Sequence, residues 1–184
     1  MNSAQFLLAL IGASGGKIQG RTLLQKQAFF VAQLAGIDPG LAFDAHFYGP
    51  YSSTVDNTIG QLKSLGFVKE ETTEFGVISG GFEMRRYDYQ LTDQGREVSE
   101  KLKLLPYYKK IDEAVAKIAK AGNPDYIELS IAAKSYFILK KEKRPMSSSE
   151  ITLQAGKFNW NLGVDSVQKA VNFLKSVGLT RDAD

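Results

Sequence analysis

The sequence predicts a mainly helical protein with a small β-hairpin: a winged helix-turn-helix domain over residues 1–104 and a helical C-terminal module over residues 105–184. Three observations predict this class. Amphipathic helical patterns recur along the chain, two strand-like runs flank a glycine-containing tip, and the phrase LKSLGF at 62–67 returns as LKSVGL at 174–179. In both phrases an apolar helical stripe stops at a glycine, as helices commonly do.

The N-terminal elements follow from apolar spacing and turn residues. A first helix is expected over residues 5–13, and its apolar positions fall on one side: Phe6, Leu7, Leu10 and Ile11. The glycines of GASGG end it, and a short strand is expected near Ile18. Residues 21–35 predict a second amphipathic helix that ends at Gly36.

The third helix is expected between Pro50 and Gly66. The residue before a proline avoids helical dihedrals, so the helix starts after this point, with Ser52 or Ser53 as its cap. Its apolar positions 55, 59 and 62 face inward.

A long hairpin is expected next. The runs GFVKEETTE at 66–74 and MRRYDYQLT at 84–92 flank the tip FGVISGGF, and Thr92 then caps another helix. This order of helix, short strand, helix, helix, hairpin and helix is typical of a winged helix.

Four segments of this half also resemble a known family. They are GRTLLQKQAFF at 20–30, FDAHFYGPYSS at 43–53, LKSLGF at 62–67 and YDYQLTDQG at 87–95. In this order they resemble the YwgA-like family of small prokaryotic proteins, and the likeness covers roughly residues 5–100. More distantly, the G-R-x-x-L-Q-K and Y-G-P elements look similar to the Panacea antitoxin-like domain. The resemblance implies a winged-helix fold without established catalysis.

The C-terminal module is expected to be helical throughout. Residues 106–120 predict a helix with one apolar stripe of Tyr107, Ile111, Val115 and Ile118, which either packs on its own domain or forms a dimerisation helix. A helix over 126–141 ends in KKEKR, a short serine-capped helix follows, and a last helix starts at Asp165. We interpret this module as a wingless helix-turn-helix-like unit; the alternative is a chance recurrence of a common helix ending.

Composition and charge restrict the possible functions. The chain has 184 residues and no cysteine, which excludes disulfides and thiolate chemistry and fits a cytoplasmic protein. The N-terminal segment is expected to be a helix rather than a membrane anchor. Residues 1–100 carry 8 Lys and Arg against 11 Asp and Glu, whereas residues 101–184 carry 15 against 9. The basic C-terminal half favours an anionic partner.

Enzymatic signatures are weak in this sequence. GASGGK at 12–17 has three residues rather than four between the glycines of a phosphate loop, and it follows a helix instead of a strand. His46 is the only histidine, so an enzyme built around it is the third-ranked hypothesis. We therefore expect a non-enzymatic protein without a metal or cofactor.

The leading hypothesis is a DNA-binding transcriptional regulator that acts as a homodimer. Polar and basic residues on the expected outer faces are the candidates for DNA contact: Gln168, Lys169, Asn172, Lys175, Lys140, Lys141, Lys143, Arg144, Asn57, Gln61 and Lys63.

The rival hypothesis is a protein-interaction module, antitoxin-like or defence-associated, that does not bind DNA. It uses the aromatic segment 43–51 and the helix that precedes it, and its candidate residues are Arg21, Lys26, His46, Tyr48 and Tyr51.

Overall fold

The protein is mainly helical with a small three-stranded antiparallel sheet, as the sequence predicts at this level. The structure is a computed structural model that describes residues 1–78 and 82–180. Its elements, in chain order, are α1 (Ser3–Ala13), β1 (Lys17–Gln19), α2 (Arg21–Ala35), α3 (Ser53–Ser64), β2 (Val68–Ile78), β3 (Phe82–Leu91), α4 (Asp93–Leu102), α5 (Pro106–Lys120), α6 (Tyr126–Glu142), α7 (Ser148–Ala155), a 3-10 turn (Gly156–Phe158) and α8 (Val164–Ser176).

The sheet has the strand order β1-β3-β2, and both pairings are antiparallel. β2 and β3 form the expected hairpin, with Val68 opposite Leu91, and they extend into the segment predicted as its tip. The centre of that tip, residues 79–81, lies outside the described residues. Ile18 on β1 lies opposite Tyr89 on β3, and both side chains are buried.

α1 is buried on all sides, which corrects the prediction of one apolar face. Every residue from Phe6 to Ile11 is buried, because α1 contacts α2, α3, α4, α5 and the sheet. A helix that is apolar all round belongs in the centre of a core. Asn2 caps it and shares reciprocal hydrogen bonds with Gln5, so the start of this central helix is fixed locally.

The two related phrases adopt the same helix ending. Gly66 and Gly178 have φ of 76° and 78°, a region that favours glycine. In each phrase the residue after the glycine donates its amide to a carbonyl five residues back, Phe67 to Leu62 and Leu179 to Leu174, both at 2.9 Å. The predicted equivalence of the two helix ends is therefore confirmed at the level of hydrogen bonds.

The buried face of α5 shares Ile111 and Ile118 with the predicted stripe but differs from it at two positions. Tyr108, Ile111, Ala114 and Ile118 are buried, whereas Tyr107 and Val115 are only half-buried. α5 packs against both α1 and α2, and these two neighbours together decide which side chains are covered.

One buried cluster joins residues from both halves of the chain. It includes Phe6 and Phe30 from the first half and Leu129 and Leu174 from the second, because α2 packs against α5 and α6. A second cluster surrounds Trp160 and joins α6, α7 and α8. Helices α6 and α8 therefore lie at fixed positions on the N-terminal elements.

Candidate nucleic-acid interface and aromatic loop

A groove between the end of α6 and the exposed side of α8 gathers basic residues. It has a volume of about 550 Å³ and an apolar floor that includes Leu139 and Val171. Four cations line it, and the described lining residues include no carboxylate. We call this the basic groove; its polar lining residues are Tyr136, Lys140, Lys143, Arg144, Ser147, Ser148, Gln168, Lys175 and Thr180.

Lys143 ends α6 at the edge of this groove. It caps α6 in the left-handed conformation, with φ of 53° and ψ of 30°, and its amide bonds to the Leu139 carbonyl at 3.0 Å. Glycine is the usual residue at such a cap, because a side chain costs about 1–2 kcal/mol there. A cation therefore stands where backbone preference alone favours glycine.

The neighbouring side chains of the groove are held by specific contacts. Lys140 donates to the Gln33 side chain at 2.8 Å, and its ammonium lies 5.8 Å from the centre of the Tyr136 ring. Arg144 donates to Glu150 at 2.9 Å, so this cation has a carboxylate partner outside the lining. Ser147 caps α7, whose amino end faces the same groove.

The predicted face of α8 divides between two grooves. Gln168 and Lys175 belong to the basic groove, whereas Lys169 and Asn172 line a second groove beside the turn between α5 and α6. Gln168 links the two sides, because it accepts from Ser148 at 2.8 Å and donates to Asn172 at 3.2 Å. Lys141 lies elsewhere, with its ammonium 4.9 Å from the centre of the Phe158 ring.

The candidate residues on α3 are exposed but lie beside acidic residues. Asn57, Gln61 and Lys63 all face solvent, and Lys63 forms a 2.8 Å ion pair with Glu70 on β2. Asp56, on the same helix, accepts from Gln25 and Tyr51 at 2.9 Å each. This part of the surface is therefore less favourable for phosphates than the basic groove.

The carboxylates of the hairpin are largely compensated by cations. Glu71 accepts from Lys69 at 2.7 Å and from Lys17 at 2.9 Å, and these contacts lower its pKa to about 2. Buried Asp88 forms a paired contact with Arg86, with a shorter distance of 2.7 Å. The hairpin presents a neutralised network on one face of the sheet rather than a bare acidic edge.

The aromatic segment 43–51 forms a short loop that α2 anchors. Its ends pair through Asp44 and Tyr51, with two backbone hydrogen bonds of 2.9 Å. Lys26 on α2 is only 2% exposed, and its ammonium donates to the Pro50 carbonyl at 2.6 Å. Gln25 forms reciprocal 3.0 Å bonds with the backbone of Ser52. Lys26, a predicted partner-binding residue, therefore faces the interior and anchors the loop.

The C-terminal half anchors the same loop from the other side. Trp160 donates from Nε1 to the His46 carbonyl at 2.7 Å. Gly49 has φ of 95°, and a Cβ atom there would lie 3.0 Å from the Lys134 side chain. The His46 side chain is exposed, and its ring lies 5.0 Å from the Tyr51 ring at a tilt of 33°, so the carbonyl of His46 rather than its imidazole anchors the loop.

Two aromatic side chains project from this anchored loop into solvent. Phe47 is 71% exposed and Tyr48 is 58% exposed, and their rings meet edge to face at 5.0 Å. The tip turns through a 2.9 Å hydrogen bond from the Gly49 amide to the His46 carbonyl. Sequence reasoning singled out Tyr48 but missed Phe47; its position next to Tyr48, just before Gly-Pro, was the available signal.

Arg21, at the start of α2, and Tyr51, at the end of the loop, take part in separate contacts. Arg21 is exposed, donates to the Tyr89 hydroxyl at 3.4 Å and lies 5.3 Å from the centre of the Tyr87 ring. The hydrogen bond that Tyr51 donates to Asp56 raises the pKa of the Tyr51 hydroxyl. These contacts join the start of α2 to the sheet and the loop to α3.

Neither a metal cluster nor a membrane span is found in the described part of the chain. Within residues 1–78 and 82–180, no three His, Cys, Asp or Glu side chains are placed to hold a metal ion. No helix in those ranges combines the length and the apolar character needed to cross a bilayer.

Comparison with known proteins identifies a curated relative. Over 88 residues the chain is 35% identical to the uncharacterized protein YwgA of Bacillus subtilis strain 168. The match covers 48% of this chain and 49% of YwgA, so the chain spans about half the length of the curated relative it matches. No family model matches the chain. A YwgA-like relationship is therefore supported over about half of the protein.

Proposed function

We propose that this protein is a non-enzymatic winged-helix protein that binds DNA as a homodimer and regulates transcription. The observation that carries the proposal is the basic groove, in which Lys140, Lys143 and Arg144 lie opposite Lys175 of α8. Cations gathered on one surface neutralise phosphates and release their counterions, which supplies most of the sequence-independent affinity for DNA. Gln168 and Asn172 lie on α8 and are hydrogen-bonded to each other, and both are residue types that contact base edges.

The N-terminal elements support the winged-helix part of the proposal. The order α1, β1, α2, α3, β2, β3 with a β1-β3-β2 sheet is the order expected of that fold. The connection between α2 and α3, residues 36–52, is much longer than the turn of a DNA-reading helix-turn-helix. We therefore assign most phosphate contacts to the C-terminal groove and only supporting contacts to Asn57 and Gln61.

Binding to a mixed-sequence 30-base-pair duplex, followed by fluorescence anisotropy over a series of salt concentrations, tests the proposal. A variant with Lys140→Gln and Lys143→Gly removes two charges from the groove. The matched control, Lys117→Gln with Lys120→Gln, removes two charges from exposed positions of α5. The groove variant should bind more weakly, and its log-log salt slope should fall by about 0.9 for each phosphate that it no longer neutralises.

Two outcomes would contradict the DNA-binding proposal. One is a wild-type protein that retains no duplex at low salt. The other is an equal loss of affinity in the groove variant and the α5 control, because net charge rather than the groove would then determine binding. Sedimentation of the wild type with and without duplex tests the homodimer separately.

A second candidate function rests on the exposed aromatic pair. We propose, as the alternative, a protein-interaction module in which Phe47 and Tyr48 contact a partner protein. Exposed aromatic side chains on a fixed backbone lose little conformational entropy on binding and are frequent in interface centres. The loop is anchored by Lys26 and Trp160, so its tip is presented in one arrangement.

Affinity capture with a matched control distinguishes the two candidates. A partner specific to the loop should be retained by wild type and by the groove variant, and should be absent with Phe47→Ser and Tyr48→Ser together. Leu104→Ser is the control, because Leu104 is 85% exposed and belongs to the connection between α4 and α5 rather than to the loop. A partner set that is unchanged in the Phe47 and Tyr48 variant would reject this alternative.

A further inference from the structure

The basic groove has an apolar floor that the proposed DNA contacts leave unused. A duplex is contacted mainly through its phosphates and base edges by charged and polar groups. The floor instead includes four apolar side chains that are half-buried and line the groove: Leu139, Met146, Val171 and Leu179. Because they are only partly covered, a molecule in the groove can contact them. The groove volume of about 550 Å³ lies within the range of small-molecule sites.

The cations of the same groove select an anion. Lys140, Lys143, Arg144 and Lys175 line it, and all four are exposed. Lys140 contacts the uncharged Gln33 side chain, and neither Lys140 nor Lys143 pairs with a carboxylate within residues 1–78 and 82–180. Two uncompensated ammonium groups attract a doubly charged head more strongly than a singly charged one. A phosphate monoester carries about two negative charges at neutral pH and has three acceptor oxygens.

Each wall of the groove places an apolar side chain one helical turn from a cation. On α8, Val171 and Lys175 are four residues apart and are neighbours on one face. At the end of α6, Leu139 and Lys143 have the same spacing, and the Lys143 amide closes this turn on the Leu139 carbonyl. A ligand that satisfies both walls therefore carries an anionic head and an apolar body.

We propose that the basic groove binds a phosphate monoester with an apolar chain, and that this molecule competes with DNA for the same lysines. The phosphate contacts Lys140 and Lys143, and the chain lies against Leu139 and Val171. The competition rests on the proposed DNA-binding function, because it requires a duplex in the groove. Binding of the ester itself is measured without DNA, so either proposal can fail without the other.

Octyl phosphate is the probe that matches this chemistry. Titration into the ¹⁵N-labelled full chain without DNA should give saturable shifts of the backbone amides of Leu139, Lys143 and Val171. Inorganic phosphate lacks the chain, and octyltrimethylammonium has the opposite charge. Each should bind at least about tenfold more weakly, since burying two methylene groups alone has an effect of that order.

The same ester chemistry occurs in free molecules and in membrane lipids. Cosedimentation with phosphatidylcholine vesicles, with and without phosphatidic acid, distinguishes these two sources. If octyl phosphate binds and the protein sediments only with phosphatidic acid vesicles, the ester belongs to a membrane lipid. If octyl phosphate binds and the protein stays in solution with both vesicles, the ester is a soluble molecule.

Two variants locate the probe in the groove. Lys143→Gly removes a cation at a backbone position that favours glycine, and should weaken octyl phosphate binding about fivefold without loss of stability. Met146→Gln with Val171→Thr makes the floor more polar without a change in charge, and should weaken binding to a similar extent. Ile127→Thr is the matched control, because Ile127 is exposed and lines the second groove, and it should bind octyl phosphate like wild type.

Three results would overturn the ester site. They are the absence of saturable shifts at millimolar octyl phosphate, equal affinity for inorganic phosphate, and equal binding of octyl phosphate by wild type and both groove variants. Octyl phosphate should also displace the duplex in the anisotropy assay. A duplex that stays bound at saturating octyl phosphate would overturn the competition. A wild type that binds octyl phosphate but no duplex would overturn the DNA-binding function and support the ester site.

Discussion

The buried ammonium of Lys26 donates a 2.6 Å hydrogen bond to the carbonyl oxygen of Pro50, and thereby joins α2 to the aromatic loop. The two residues belong to GRTLLQKQAFF and FDAHFYGPYSS, two of the segments that carry the YwgA-like resemblance. Gln25 and Ser52 join the same two segments by a second pair of hydrogen bonds. These two segments therefore stabilise each other through hydrogen bonds between α2 and the loop. The aromatic tip of the loop stays exposed.

Lys26→Met should change how stability depends on pH. Burial lowers the pKa of Lys26 from 10.5 to about 8, with Lys134 adding repulsion. Between pH 8 and 10.5 the unfolded chain holds more protons at this site, so rising pH stabilises the folded wild type. Relative to the variant, wild type should gain up to about 3 kcal/mol across this range.

Urea unfolding at pH 7, 8, 9 and 10.5 measures this difference. Lys110→Met, at an exposed lysine, is the control and should track wild type at every pH. The Met variant also leaves the Pro50 carbonyl without its donor, which lowers stability by a similar amount at each pH and does not alter the slope. Parallel pH profiles for wild type and Lys26→Met would reject the buried ammonium as the cause.

Gly49→Ala should destabilise the protein more than Gly40→Ala. Both glycines have positive φ, 95° and 75°, so alanine is strained at either site by about 1–2 kcal/mol. At Gly49 the new Cβ would also lie 3.0 Å from the Lys134 side chain and 3.4 Å from the Ser130 carbonyl oxygen. At Gly40 nothing lies within 4 Å.

Trp160 provides the local readout for this pair of variants. It is the sole tryptophan, and it bonds to the loop through the His46 carbonyl. If Gly49→Ala lifts the loop from α6, the emission of Trp160 should shift to longer wavelength well below the unfolding transition, and Gly40→Ala should leave it unchanged. Equal loss of stability in the two variants would show that backbone strain alone matters at Gly49.

The sequence predicted the features of this fold that depend on local contacts better than those that depend on distant contacts. Thr92, Ser147 and the glycines after α3 and α8 end or start helices as expected, because each signal depends on hydrogen bonds within a few residues. The burial of every residue from Phe6 to Ile11 was missed, since it depends on contacts of α1 with α3, α4 and α5, which lie far along the chain. The same reason explains the displaced stripe of α5.

The candidate site shows the same division between local and distant causes. Lysine is almost never fully buried without a partner, so a sequence gives no reason to place Lys26 in the interior. Its burial depends on a proline carbonyl 24 residues away. Likewise, nothing local indicates that Lys175 faces Lys143 across one groove while Lys169 faces another. Helical spacing identified the exposed face of α8, and the packing of α8 against α6 separates the residues of that face into two grooves.

Lys69→Met should raise the pKa of Glu71. The hydrogen bond from Lys69 is the largest cause of the value of about 2, and Lys17 is the next. A carboxylate with a lowered pKa stabilises the folded state above its unfolded value of 4.5, and this contribution is lost as pH falls from there towards 2. The stability difference between wild type and variant should therefore disappear in acid.

Carbon-13 NMR of the Glu71 carboxyl group, titrated from pH 6 to 1.5, measures this change directly. Lys63→Met is the matched control, because Lys63 pairs with Glu70 instead. It should leave the Glu71 midpoint in place. A Glu71 midpoint that stays near 2 in the Lys69 variant would show that Lys17 alone is sufficient.

Lys143→Gly should separate DNA affinity from stability. Lys143 caps α6 with positive φ, where glycine is preferred, so this change should raise the free energy of unfolding by about 0.5–1 kcal/mol. It also removes one cation from the basic groove. If the groove binds phosphates, affinity for duplex DNA should fall, with the salt slope reduced by about 0.9.

Most charge removals confound weaker binding with impaired folding, whereas this one moves the two quantities in opposite directions. Urea unfolding and duplex anisotropy should be measured on the same preparation. Asn123→Gly is the backbone control, since Asn123 also has positive φ, of 47°, but carries no charge. It should gain stability without weaker DNA binding. A Lys143→Gly protein that is more stable and binds duplex as tightly as wild type would exclude Lys143 from the DNA interface, because neither misfolding nor general destabilisation could then account for the result.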